Sequence, residues 1–119
     1  MQPHERISQA IAAANDAGRT ALVPFITAGY PDPATFISTL QAVAAEGDVV
    51  ELGVPFSDPM ADGMTIQRSS FSAIEQGVTL SWIFEQLDAA GDAIDTPLVM
   101  MSYLNPLLAY GYERLAKRA

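Results

Sequence analysis

Val49-Val50-Glu51-Leu52-Gly53-Val54, running straight into Pro55-Phe56-Ser57-Asp58-Pro59-Met60-Ala61-Asp62-Gly63, is the stretch that decides the fold. A short run that is apolar at nearly every position reads as a strand covered on both faces, as in a parallel sheet. One residue breaks the run. Glu51 is a carboxylate among valines and leucine, and burying such a charge is costly unless it is paired or protonated. At a strand's exit the best physical use for it is acid–base chemistry. Burial raises a carboxyl pKa toward neutrality and lets one group both give and take a proton. Pairing with an arginine, or capping of a buried amide, is the alternative use.

The flanking sequence supplies the rest of a repeating pattern. Ile7, Ile11 and Ala14 are spaced as one face of a helix over 7–17, with Gly18 as its stop. Residues 21–27 (Ala-Leu-Val-Pro-Phe-Ile-Thr) read as a first buried strand, although Pro24 argues against a fully hydrogen-bonded central position. Gly29-Tyr30-Pro31-Asp32-Pro33 is a turn in which Asp32 caps a helix carrying Phe36, Ile37, Leu40 and Val43 and ending at Gly47. After the Glu51 strand and its loop, a helix is expected from about Thr65 (Ile66, Phe71, Ile74), interrupted by Gly77 and resumed from Leu80. Pro97 to Tyr103 is the third strand, and Asn105-Pro106 opens a last helix. The order is α, βα, βα, βα, which implies an α/β protein with a parallel sheet and right-handed crossovers. Such proteins place their sites at the strand C-termini, where Glu51, Asp58, Asp62, Tyr103 and Asn105 all fall.

Composition narrows the function classes. The chain has 119 residues, half of them hydrophobic, enough for a single domain spanning 1–119 with its own core. A net charge of −8 disfavours nucleic acid or an anionic membrane surface as partner. Cysteine is absent, so neither a disulfide framework nor a thiolate metal site is possible. No secretory segment is visible, and no stretch reaches the roughly 18 apolar residues of a membrane span. The expectation is a cytoplasmic protein. His4-Glu5 lacks a second histidine four residues on, which excludes a zinc helix motif, and the methionines are dispersed gap-fillers.

The residues Val49 to Pro59, followed by Ala61-Asp62-Gly63 and Thr65-Ile66-Gln67, closely resemble the signature of the tryptophan synthase α subunit family. Leu22 to Gly29 with Pro31-Asp32 resembles that family's first strand and turn. Tyr103, Asn105-Pro106 and Tyr110-Gly111 resemble its third βα unit. The likeness runs through essentially the whole chain and corresponds to somewhat less than half of a TIM (β/α)₈ barrel. It implies a lyase that cleaves indole-3-glycerol phosphate to indole and glyceraldehyde 3-phosphate without metal or cofactor. The implied partner is the pyridoxal-phosphate-dependent tryptophan synthase β subunit, in an α2β2 complex. By this resemblance Glu51 is the general acid and base, the assignment that its apolar setting supports independently. Asp62 is the carboxylate that receives the indole N–H. Phe25 and Met101 line the indole pocket, and Tyr103 is placed with them. Pro55, Asp58 and Asn105 face the partner subunit.

Each assignment has an ordinary alternative. Asp62-Gly63 is a common turn pair, Asp58 has the same ambiguity, and on sequence alone Phe25 and Met101 read as core side chains, a pocket wall being a specialised core. The sequence also departs from the family at three places. Met64 stands where a proline is usual, which loosens the loop after Asp62. The Gly47-Asp48 turn is one residue shorter, shifting the entry of the second strand. The glycine-rich phosphate loops of the barrel's last quarter have no counterpart here, neither as a P-loop nor as G-x-G-x-x-G. A fragment is therefore expected. As a second class of function, such a piece would be a non-catalytic barrel fragment that self-associates or complements another through its uncovered sheet edges.

Overall fold

A computed structural model describes all residues, Met1–Ala119. Helix α1 spans Pro3–Asp16. It begins ahead of the periodic stretch because proline is tolerated in a first turn and Glu5 Oε2 accepts the Gln2 N–H at 2.7 Å. Of the Ile7, Ile11, Ala14 stripe only Ala14 is fully buried.

Strand β1, Phe25–Thr27, is shorter than the expected 21–27. Pro24 is the reason. Its carbonyl accepts the Glu51 N–H at 2.9 Å, but it has no N–H to return, so a full ladder starts only at Phe25. The Tyr30–Pro31 peptide that follows is cis. Asp32 caps as expected, its Oδ1 accepting the Ala34 N–H at 3.0 Å at the head of a 3₁₀ turn over Pro33–Thr35. Helix α2 then spans Phe36–Glu46 and strand β2 Val50–Gly53.

Two helices, α3 (Met64–Glu75) and α4 (Leu80–Ala90), separate β2 from strand β3, Leu98–Met101. Gly77, at φ 89°, ends the first. Thr79 Oγ1 accepts the Trp82 N–H at 3.1 Å and starts the second. Where the sequence gives α3 an apolar stripe through Phe71, that ring is exposed, and the buried residues are Ser69, Ser70 and Ala73. Small residues let α3 lie close to β1, where the Thr27 and Ser69 hydroxyls meet at 2.7 Å. In place of one last helix there are two, α5 (Leu104–Tyr110) and α6 (Tyr112–Arg118), because Gly111 between them sits at φ 96°.

The strands form one parallel sheet in the order β1-β2-β3. Side chains alternate along a strand, and this alternation sorts the two faces of β2. Val50 and Leu52 are fully buried in the core with Phe36 and Leu40 of α2 and Ile83 of α4. Glu51 and Gly53 therefore point to the other face, in a central strand, with Phe25 and Val99 beside Glu51 and Thr27 and Met101 beside Gly53. No helix is long and apolar enough to cross a membrane.

Candidate functional site

That second face of the sheet is the floor of a cavity of about 480 Å³ at the C-terminal ends of the strands. Each strand contributes to it: Phe25 and Thr27 from β1, Glu51 and Gly53 from β2, Met101 from β3. The loop after β2 supplies Ala61 and Asp62, helix α3 supplies Ile66 and Ser70, and the segment after β3 supplies Ser102 and Tyr103. Five residues singled out in the sequence, Phe25, Glu51, Asp62, Met101 and Tyr103, thus converge on one concavity.

Glu51 is half-buried, not walled off as its apolar neighbours implied. Its immediate neighbours Val50 and Leu52 point to the opposite face, into the core. Arginine pairing does not occur: the chain's ion pairs are Arg6–Asp95, Arg19–Asp48 and Arg118–Asp88. The carboxylate is left facing the cavity.

Asp62 belongs to an irregular loop held at both ends. At the start, the Phe56 N–H donates to Ser70 Oγ at 2.8 Å, and that hydroxyl donates back to the Phe56 carbonyl at 3.1 Å. At the end, Gln67 Nε2 donates to the Asp62 carbonyl at 2.8 Å, which ties the loop to the first turn of α3 despite Met64 at its head. Tyr103 reaches across from the end of β3. Its hydroxyl accepts the Ala61 N–H and donates to Asp62 Oδ2, both at 3.0 Å. Its ring packs on Phe56 with centroids 5.1 Å apart. Desolvation, followed by the bond to the Asp62 carboxylate, pushes the Tyr103 phenol above its ordinary value.

Met101 is half-exposed at the cavity mouth. Asp58 and Asn105 are exposed on the same end of the sheet. Pro55 is not. It is buried within the chain, at the start of the loop that carries Asp58. Gly53, Thr27 and Ser70 went unremarked in the sequence. Only the glycine carried a signal, because glycine inside a strand marks a close approach.

The arrangement offers two carboxylates, an aromatic wall and a phenol around a space suited to a flat, largely apolar molecule. The family model described as "Tryptophan synthase alpha chain" matches residues 11–119. The tryptophan synthase alpha chain of Desulfovibrio desulfuricans is 49% identical over 114 residues, which cover 95% of this chain and 45% of the relative. That of Laribacter hongkongensis is 49% identical over 116 residues, covering 96% and 44%. Among solved structures, tryptophan synthase from M. tuberculosis in its aminoacrylate-bound form superposes with a TM-score of 0.86 at 32% identity, covering 95% of this chain and 46% of that one. The α subunit from Legionella pneumophila gives 0.83 at 36%, covering 95% and 44%. The chain spans less than half the length of these relatives, and its three parallel strands are part of a (β/α)₈ barrel. With the match running from residue 11 to residue 119, the chain belongs to the tryptophan synthase alpha chain family.

Proposed function

We propose that these residues form the proton-transfer wall of a carbon–carbon lyase site in tryptophan biosynthesis, one that splits indole-3-glycerol phosphate into indole and glyceraldehyde 3-phosphate. Glu51 delivers a proton to the indole C3 and takes one from the adjacent side-chain hydroxyl. The bond between C3 and the side chain then breaks, its electron pair returns to the ring, and the hydroxyl carbon leaves as the aldehyde. Asp62 accepts the ring N–H and stabilises the positive charge that develops there. Phe25 and Met101 flank the indole. The partner is a pyridoxal-phosphate-dependent β subunit, approached through Asp58 and Asn105.

One observation carries this reading: Glu51 and Asp62, eleven residues apart in sequence on a strand and a loop, line the same cavity, and Glu51 is not consumed by an ion pair. The test is indole release from indole-3-glycerol phosphate by the protein carrying this sequence and by its Glu51→Gln variant. The variant should fold and lose release by at least about a hundredfold, the lower range for removal of a general acid–base group. A variant that keeps its rate ends the assignment.

A second reading rests on a different feature. Strands β1 and β3 each have one unpaired edge, and a parallel edge is a template for another strand. On this reading the 119 residues associate, with a second copy or with a complementary barrel piece, without turning over substrate themselves.

A further inference from the structure

The hydrogen bonds around Tyr103 do something that a pocket wall does not. A residue that only packed against an indole ring would need its ring alone. Here the hydroxyl spans the β2–α3 loop: it takes the Ala61 N–H as acceptor and gives its own proton to Asp62 Oδ2, each at 3.0 Å. We propose that Tyr103 is the positioning residue for Asp62, a latch that fixes the carboxylate by one oxygen and leaves the other free for the ring N–H. This rests on the role proposed for Asp62.

The geometry favours a latch over incidental contact for three reasons. Tyr103 directly precedes α5 and follows β3, so it is anchored on regular structure, whereas Asp62 is on a loop whose neighbours Met60 and Ala61 are exposed. The loop's own backbone bonds, Met60 N–H to Asp58 and Asp62 N–H to Pro59, shape the turn but leave the Asp62 side chain unrestrained. Finally, the phenol ring is fixed by its stack on Phe56, the residue that Ser70 ties to α3. The hydroxyl therefore arrives pre-placed, and a charge-assisted bond from it sets the carboxylate's rotamer. Mispositioning an acceptor by a fraction of an ångström lowers the rate of the step it assists more than it weakens binding.

The test uses Tyr103→Phe, which keeps the ring and its stack and removes only the hydroxyl, beside Asp62→Asn. In Tyr103→Phe, kcat for indole release should fall about tenfold with KM nearly unchanged, the size expected for one hydrogen bond to a charged group. The Ala61 amide, having lost a neutral acceptor, should exchange its hydrogen about two- to tenfold faster. A mere structural loss would leave kcat intact. Unchanged Ala61 exchange overturns the latch, as does faster exchange with unchanged kcat, or a rise in KM alone. If Asp62→Asn retains indole release, the role of Asp62 fails, whatever Tyr103→Phe does. If Asp62→Asn is inactive while Tyr103→Phe behaves as the parent, only the latch fails. Where the parent protein releases no indole, Ala61 exchange decides.

Discussion

Gly53 lies two residues beyond Glu51 on the same face of β2, and the Phe25 ring occupies the space that a side chain there would take. A Cβ on Gly53 would stand 2.5 Å from Phe25 Cζ and 2.8 Å from Cε2, with the Ile26 carbonyl oxygen at 3.4 Å. The ring has to move, and it is one wall of the cavity. Gly53→Ala is therefore expected to raise KM for indole-3-glycerol phosphate several-fold with a smaller effect on kcat, and to cost about 1 kcal/mol in stability, the low end for overpacking. Steady-state kinetics beside thermal unfolding check this, and an unchanged KM would show that the ring has room to spare. The same residue marks the boundary of what sequence can reveal about the site. Glu51 stands out because a carboxylate in an apolar run needs a use, and Asp62 stands out only through the family signature it belongs to. Gly53, Thr27 and Ser70 do not stand out, because their part depends on which residues of β1 and α3 come to lie beside them.

At the level of elements, the entry to β2 is governed by an ion pair at the opposite end from the cavity. Asp48 accepts two hydrogen bonds from Arg19, Nη1 to Oδ2 at 2.9 Å and Nη2 to Oδ1 at 2.7 Å, and a third from the Leu22 N–H at 2.8 Å. These bonds clamp the segment before β1 to the segment before β2, and so fix the register that sets Phe25 beside Glu51. The Arg19 bond first, then the Leu22 amide, hold the Asp48 carboxyl at about 2, below its ordinary 3.8. A folded-state pKa below the unfolded one contributes stability that is complete above the unfolded value and is lost as pH falls through the folded one. Urea unfolding of the parent and Asp48→Asn should differ most near pH 6, and the gap should close between about pH 4 and pH 2. A gap that stays constant through that window would mean that the pair contributes nothing through its charge. The elements themselves were largely legible. The Asp32 cap and the split at Gly77 follow from local chemistry. Pro24 already argued against a full strand over 21–27, and β1 is cut to Phe25–Thr27; the break at Gly111 was not legible, since it turns on a positive φ at a glycine that a helical pattern passes over.

For the whole molecule the decisive property is an unclosed sheet. The radius of gyration is 14.5 Å, against about 13.5 Å for a compact domain of this length. The strand order leaves β1 and β3 each with an unpaired edge. Beside β1, Leu22 and Val23 are exposed; at the other side Met101, Leu104 and Leu108 are half-exposed or more. Parallel sheets are stable when both faces are covered, and a parallel edge flanked by apolar side chains recruits another strand. The 119 residues on their own are accordingly expected to associate. In size-exclusion chromatography over a hundredfold range of loading, about a span that moves a micromolar equilibrium across its midpoint, the apparent mass should rise above the monomer's 12.7 kDa. Val23→Lys, which sets a charge beside the β1 edge, should shift the profile toward monomer, as natural edge strands do with lysine. A monomer at every concentration would mean that the open edges are shielded by their own loops, and would remove the support for the fragment-association reading while leaving the Glu51 and Asp62 chemistry untouched.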